Sequence, residues 1–162
     1  MDEVDEIVAA WQRERPDLDL TALQVLSRIS RLAHHLDAGR KSVFAKSGLE
    51  PWEFDVLASL RRSGKPYALA PKDLIKENLV TSGTMTNRID QLEKRGLVVR
   101  RPDPADGRSI AVLITDAGKA LVDAAFADLL SLEAEFLADL TKPEQDELAS
   151  LLRELTKQFK VN

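Results

Sequence analysis

Residues 82–95 place together polar side chains that could contact the edges of DNA bases. Asparagine can pair with adenine, threonine can offer a hydroxyl or a methyl group, and arginine can bind guanine or phosphate. One helix face carrying such side chains would suit a major groove, although a polar face that only meets solvent is the commoner case. The candidates are Ser82, Thr84, Thr86, Asn87, Gln91 and Arg95.

A helix must present these side chains, and the sequence predicts one from about Ser82 to Arg95. Thr81 or Ser82 can cap its start by accepting hydrogen bonds from the first unpaired amides. Arg95 suits the negative end of a helix, and Gly96 can end it. The apolar residues spaced at i, i+4 and i+7 to face a core are Met85, Ile89 and Leu92.

A charged β-hairpin is predicted directly after this helix. An apolar run at residues 97–99, followed by Arg100 and Arg101, and a β-branched, apolar run at residues 109–114 flank the turn sequence PDPADGR. In this turn the prolines stop pairing and Gly107 can take a positive φ. At the tip, Arg108 can enter a minor groove, and Asp106 can orient it through a charge-assisted hydrogen bond. The alternative is a surface hairpin with incidental charge.

The run TNRIDQLEKRGLVVRRPDPADGRSIAVLITDAGKAL, residues 86–121, resembles the winged helix-turn-helix core of the multiple antibiotic resistance regulator (MarR) family. The likeness includes the Asp-x-Arg wing signature at Asp106 and Arg108. It implies a mainly α fold with a small β-hairpin wing and with dimerisation helices at both ends. It also implies a transcriptional regulator, expected to be a repressor, that binds near-palindromic double-stranded DNA as a homodimer and releases it on binding a small molecule.

Apolar residues at helical spacing predict helices on both sides of this core. An extra N-terminal helix carrying Trp11 is ended by Pro16, and the segment SGKPYALAP is predicted as a loop. A Thr-Lys-Pro-Glu capping box at residues 141–144 predicts the start of the last helix. The other predicted helices span residues 20–46, 51–62, 72–79 and 116–140.

We expect one domain over residues 1–162. Residues 51–115 would form the DNA-binding winged helix, and residues 1–46 and 116–162 a helical dimerisation region. The apolar faces of the terminal helices exceed what one small winged helix can cover, which favours a dimer over a monomeric helical bundle. A two-fold dimer would place two reading helices about one DNA turn, roughly 34 Å, apart.

Composition sets limits on function. The 162 residues include no cysteine, which excludes disulfides, thiolate metal sites and thiol redox sensing. No run of 18 apolar residues is present and the N-terminus is acidic, so we expect a cytoplasmic protein without a membrane partner. The net charge is −4, but from Arg88 to Arg108 six cations face four carboxylates, which leaves that stretch positive.

The sequence shows no recognisable set of catalytic residues. It shows no Ser-His-Asp pattern, no phosphate-binding glycine loop and no metal cluster, and its two histidines, His34 and His35, are adjacent and point to different sides of a helix. We therefore expect no enzyme activity, no metal and no cofactor. A winged helix that binds a protein instead of DNA is the remaining alternative.

Arg88 is the anomaly in the reading helix. It lies three residues after Met85 and four before Leu92, so it should point inward with the core stripe. A buried guanidinium needs a partner, and Asp55 on the supporting helix is the available carboxylate. The pair could be a structural clamp, or an anion site in which a ligand competes for the arginine and moves the helix.

A narrower resemblance concerns this site. The extra helix with its tryptophan, the aspartate in the supporting helix and the two arginines are similar to the urate-responsive subgroup of the family. Carried over, Trp11 and Arg88 would contact the ligand, Asp55 would be displaced by its charge, and Arg100 would relay the shift to the reading helix. Urate, another purine or planar anion, and an organic acid such as citrate or aconitate all stay open as the effector.

Overall fold

The computed structural model describes residues 1–103 and 105–159 and confirms the predicted fold class, a mainly helical protein with a small sheet. The chain divides into two compact units, Met1–Pro51 and the residues from Trp52 onward. No helix in the described part of the chain is long and apolar enough to cross a membrane. The helices are α1 Glu3–Glu14, α2 Thr21–Lys46, α3 Pro51–Arg62, α4 Pro71–Asn78, α5 Ser82–Lys94, α6 Asp116–Phe136 and α7 Lys142–Thr156, followed by a 3-10 turn, Lys157–Phe159.

In the first unit, the predicted N-terminal helix α1 packs against α2. Asp2 and Asp5 form a capping box at the start of α1, and both carboxylates also accept hydrogen bonds from Arg28 of α2. Val4 is 1% exposed, whereas Trp11 is half exposed. The ion pairs are open to solvent and contribute little, so burial of the apolar face holds α1 in place.

The core of the second unit confirms the predicted stripe of α5. Its three apolar residues are almost fully buried, and α5 packs against both α4 and β2. α3 is apolar over most of its circumference, as predicted, and supplies the largest buried set. The fully buried large side chains of this unit include Leu57, Leu60, Leu74, Met85, Leu92, Val98, Val112 and Val122.

The sheet has one strand more than the sequence predicted. The strands β1 Ala68–Leu69, β2 Val98–Pro102 and β3 Ile110–Ile114 lie in the order β1-β3-β2, all antiparallel. β1 lies within the segment predicted as a loop, because a two-residue strand is too short to show alternation. Its pairing covers the otherwise open edge of β3, the central strand.

The terminal helices begin as predicted, but α6 ends earlier. Thr115 caps α6 by accepting a hydrogen bond from the amide of Gly118, and the capping box between Thr141 and Glu144 starts α7. α6 ends at Phe136 rather than near residue 140. Turns occupy the next residues before the α7 cap.

Gly118 generates a stability prediction. A Cβ atom at this position would lie 2.3 Å from the carbonyl oxygen of Leu97 and 2.7 Å from Cγ1 of Ile114. We expect Gly118→Ala to lower the free energy of unfolding by roughly 1–3 kcal/mol, because backbone must shift to admit the methyl group. Urea denaturation followed by circular dichroism measures the change.

Gly83→Ala is the matched control. Gly83 lies in the first turn of α5, with no atom within 4 Å of an added Cβ. Alanine should therefore raise the stability, by up to about 1 kcal/mol, because it favours the helical backbone. Equal effects of the two substitutions would contradict the close approach at Gly118.

Candidate nucleic-acid interface

The local sequence defines both ends of α5. The Thr81 side chain accepts a hydrogen bond from the amide of Thr84 at 3.3 Å. At the other end Gly96 has a φ of +70°, and the amides of Gly96 and Leu97 bond back to the carbonyls of Glu93 and Leu92. This glycine-dependent cap stops the helix and turns the chain into β2.

All six residues predicted to read DNA lie exposed on α5 or at its C-terminal cap. The amides of Asn87 and Gln91 have no hydrogen-bond partner among the described residues, so their donors and acceptors are available to a ligand. The Thr86 hydroxyl donates to the carbonyl of Ser82 and can still accept a bond. The face is therefore polar and open, as a groove-reading face requires.

Arg95 has a partner that the sequence prediction missed. Its Nη1 donates to Oε1 of Glu53 at 2.6 Å, and Glu53 is only 4% exposed. The Arg95 side chain is 39% exposed, and its contact with DNA stays a prediction. A buried carboxylate is costly unless it is paired, so this contact joins the end of α5 firmly to α3.

A signal for Glu53 was present in the sequence. Glu53 stands at i, with Val56, Leu57 and Leu60 at i+3, i+4 and i+7, so it heads the buried stripe of α3. Asp55, the carboxylate chosen from the sequence, is half-buried. The spacing thus separates the two carboxylates more clearly than the general apolar character of the helix does.

Arg100 connects the wing to α5. From β2 it donates to Asp90 at 2.5 Å and to Glu93 at 2.6 Å, and its own amide donates to Glu93 at 2.9 Å. Burial lowers the pKa of Arg100, but the hydrogen bonds to both carboxylates raise it overall. The bond from the Arg100 amide is the largest cause that holds the pKa of Glu93 below its ordinary value. A shift at Arg100 would reach α5 directly.

The predicted ion pair between Arg88 and Asp55 is not what the structure forms. Within the described residues, Arg88 has no carboxylate partner, and its guanidinium lies over the ring of Trp52, 5.4 Å from the centroid. Arg88 is half-buried, as its place beside the core stripe predicted. A planar guanidinium stacks well on an aromatic face, and Trp52 in the first turn of α3 offers that face.

The wing differs from its prediction in how Asp106 acts. Its carboxylate accepts a hydrogen bond from the backbone amide of Arg108 at 3.1 Å, and the described residues hold no bond between the two side chains. Gly107 does not take the positive φ that glycine would allow at this position. Pro102 pairs with Ile110 inside the ladder, so pairing ends one residue later than predicted. Arg108 is exposed at the tip.

The described residues contain no group of histidine, aspartate or glutamate side chains arranged to hold a metal ion. The site therefore consists of an open polar helix face, an exposed arginine on a β-turn and a half-buried arginine on the other side of the helix. This arrangement provides hydrogen bonds and positive charge rather than acid-base chemistry.

Comparison of the sequence with known proteins identifies similar regulators. A family model described as MarR family matches residues 47–109. The HTH-type transcriptional regulator PecS of Dickeya dadantii is 36% identical over 155 residues, which cover 96% of this chain and 93% of PecS.

Two solved structures share the fold. A mutant of MarR from E. coli, complexed with operator DNA, has a TM-score of 0.68 and 25% identity, covering 90% of this chain and 96% of that one. A structure of BpsR of Bordetella bronchiseptica, described as showing the mechanism by which 6-hydroxynicotinic acid regulates its DNA binding, has a TM-score of 0.69 and 26% identity. That likeness covers 85% of this chain and 96% of BpsR.

Glu93 generates a prediction about acid stability. Its folded pKa is lowered, so its stabilising contribution is present above the unfolded value near 4.5 and is lost as pH falls through the lowered folded value. We expect Glu93→Gln to be less stable than the parent at pH 7, with a difference that shrinks as pH falls below about 4.5. Urea denaturation at several pH values between 7 and 3 measures both proteins, and Glu147→Gln controls for the loss of a surface carboxylate. A difference independent of pH would contradict the assignment.

Proposed function

We propose that this chain, which belongs to the MarR family of transcriptional regulators, represses transcription by binding a near-palindromic operator as a homodimer and releases the operator when a small anion binds. It is a regulator and not an enzyme. The observation that carries the proposal is the exposed polar face of α5 beside a wing tipped by an arginine. The first eight residues of α5, SGTMTNRI, contain no carboxylate to repel phosphate.

The geometry supports contacts to the major and minor grooves by different residues. Asn87 and Gln91, whose amides are unused by the described residues, suit base edges in the major groove, with Thr84 and Thr86 beside them. Arg108 at the wing tip suits the adjacent minor groove. Because operator binding requires access to chromosomal DNA, we assign the protein to the cytoplasm.

Exposed apolar side chains on the terminal helices support the homodimer. A contiguous apolar surface in solvent usually marks an interface, and these residues recur at helical spacing along α6 and α7. We therefore assign residues 116–162 and residues 1–46 to dimerisation, and residues 51–115 to DNA binding, within one functional domain. The exposed apolar residues of the C-terminal region are Phe126, Leu130, Phe136, Leu148, Leu151, Leu152, Leu155 and Phe159.

Arg88 supports an anionic effector. It is a half-buried cation that lies over an aromatic ring, and no carboxylate among the described residues neutralises its charge. We propose Arg88 as the anion contact, with Asp55, Arg100 and Trp11 as the further ligand residues implied by the subgroup resemblance. The compound that regulates DNA binding by BpsR, 6-hydroxynicotinic acid, is an aromatic acid. Urate is the planar anion we favour, and another purine, citrate or aconitate is the alternative.

Operator binding tests the regulator assignment. Light scattering should give twice the 18.0 kDa mass of one chain, and fluorescence anisotropy should show salt-dependent binding to a near-palindrome with half-sites one helical turn apart. Arg108→Ala should weaken this binding by about 1–3 kcal/mol if the arginine sits in the groove.

Arg153→Ala on exposed α7 is the control and should leave operator affinity unchanged. If Arg108→Ala bound the operator as tightly as Arg153→Ala, the wing assignment would be wrong. A monomer, or a dimer with no preference for any palindrome, would reject the DNA-binding proposal and favour a protein partner.

Urate titration tests the effector. Adding urate to the protein–operator complex should release the wild-type protein, because a ligand shifts an equilibrium only by binding one conformation more tightly. Asp55→Asn should bind the operator and respond less, since the charge that the ligand repels is gone. Trp11→Ala should need more urate for release while keeping the operator.

The three proteins also identify how the proposal could fail. Equal release of all three would reject the assigned ligand residues. A wild type that ignores urate but responds to citrate, aconitate or 6-hydroxynicotinate would replace the effector and keep the anion site, and no response to any of them would reject anion control.

A further inference from the structure

The first turn of α3 contacts two arginines, one on α5 and one at the C-terminal cap of α5. Trp52 lies under the Arg88 guanidinium, and its neighbour Glu53 accepts a hydrogen bond from Arg95. Arg88 and Arg95 are seven residues apart, which is two helical turns or about 10 Å along the axis. Two adjacent residues of one helix therefore hold two separate points on the other.

The two contacts differ in strength. Glu53 is 4% exposed, so separating it from Arg95 would leave a buried carboxylate without that partner, at high cost. The cation–π contact between Arg88 and Trp52 involves two half-buried side chains and is the weaker of the two contacts. If α3 and α5 are pulled apart, the contact at Trp52 opens first.

The C-terminal half of α5 has further anchors. Arg100 of β2 bonds to both Asp90 and Glu93. From Ser82 to Asn87 the described side chains form hydrogen bonds only within α5 and its N-cap, so Arg88 is the polar contact to another element nearest to the reading end of the helix. Its loss would loosen the end that carries Thr84, Thr86 and Asn87.

An aromatic ring holds a cation without neutralising it. In a cation–π contact the guanidinium keeps its full charge, and the described residues offer the Arg88 N–H donors no oxygen acceptor. An anion can offer those donors the charge-assisted hydrogen bonds that the ring cannot, so it competes well for Arg88. A carboxylate in place of Trp52 would have occupied the same donors.

We propose that Trp52 is a positioning residue that latches Arg88, and through it the reading end of α5, in the conformation that binds DNA. An anion captured by Arg88 opens this latch, while the Glu53–Arg95 contact keeps the other end of the helix in place. The inference rests on the proposed function and assigns to its anion site a residue that contacts Arg88 rather than DNA.

A double-mutant cycle on operator affinity tests the latch without any effector. Trp52→Leu and Arg88→Met should each weaken operator binding by roughly two- to fivefold at fixed salt, the range expected of a single cation–π contact. The double variant should bind no more weakly than the weaker of the two single variants, because both remove the same contact. Trp52→Phe keeps a ring and should recover most of the affinity.

Fluorinated tryptophan separates the latch from packing. In a Trp11→Phe background Trp52 is the only tryptophan, and fluorination weakens the ring's attraction for a cation with little change in shape. Operator affinity should fall stepwise with the number of fluorine atoms when Arg88 is present and should not change in Arg88→Met. This readout does not require Trp52→Leu to fold, and a purely structural tryptophan would not produce it.

Glu77→Gln is the control variant, because it breaks an exposed ion pair between Glu77 and Arg62 elsewhere in the helix-turn-helix. It should bind the operator as the wild type does. With urate as the probe, Trp52→Leu should release the operator at a lower concentration than the wild type, since no latch has to be opened.

Multiplicative losses in the cycle, or an operator affinity independent of fluorination, would overturn the latch while leaving the proposed function in place. Failure of the wild type to bind any palindromic operator would overturn the proposed function and the latch together.

Discussion

The buried carboxylate of Glu53 constrains the DNA-binding half of the molecule. Once Glu53 is inside the core, it must be paired, and Arg95 at the end of α5 provides the pairing. The C-terminal end of α5 is therefore joined to α3 by an interaction that is costly to break. Apolar packing of Met85, Ile89 and Leu92 also stabilises the position of α5, but such packing tolerates small rotations of the helix.

The two halves of α5 differ in their polar contacts. Its C-terminal half is tied to α3 by Glu53 and to the wing by Arg100, so these contacts join the helix and the wing that we propose read DNA together. Its N-terminal half, which carries the side chains proposed to read the groove, depends on packing and on the contact of Arg88 with the Trp52 ring. Such an arrangement suits the proposed regulation, because a ligand could then shift one part of the surface without unfolding the whole.

The sequence predicts the helices of this fold well and their polar contacts poorly. The apolar stripes and capping residues predicted the first and last residues of α3 and α5 to within one residue, because apolar spacing and capping are local signals. β1 was missed because its pairing partner is distant in sequence. The partners of Arg88 and Asp106 were wrong because each side chain chooses among neighbours that only the packed structure brings together. Among these polar groups, only the burial of Glu53 could have been predicted, from its place at the start of the apolar stripe of α3.

In the proposed mechanism, operator binding depends on the position of the reading end of α5, and an anion changes this position. The chain has no cysteine, so Gly83→Cys in the exposed first turn of α5, at its reading end, gives one spin label per subunit. Pulsed dipolar spectroscopy on the dimer should then show one narrow distance distribution with operator and a shifted one with saturating urate. The same distribution in both states would contradict the account.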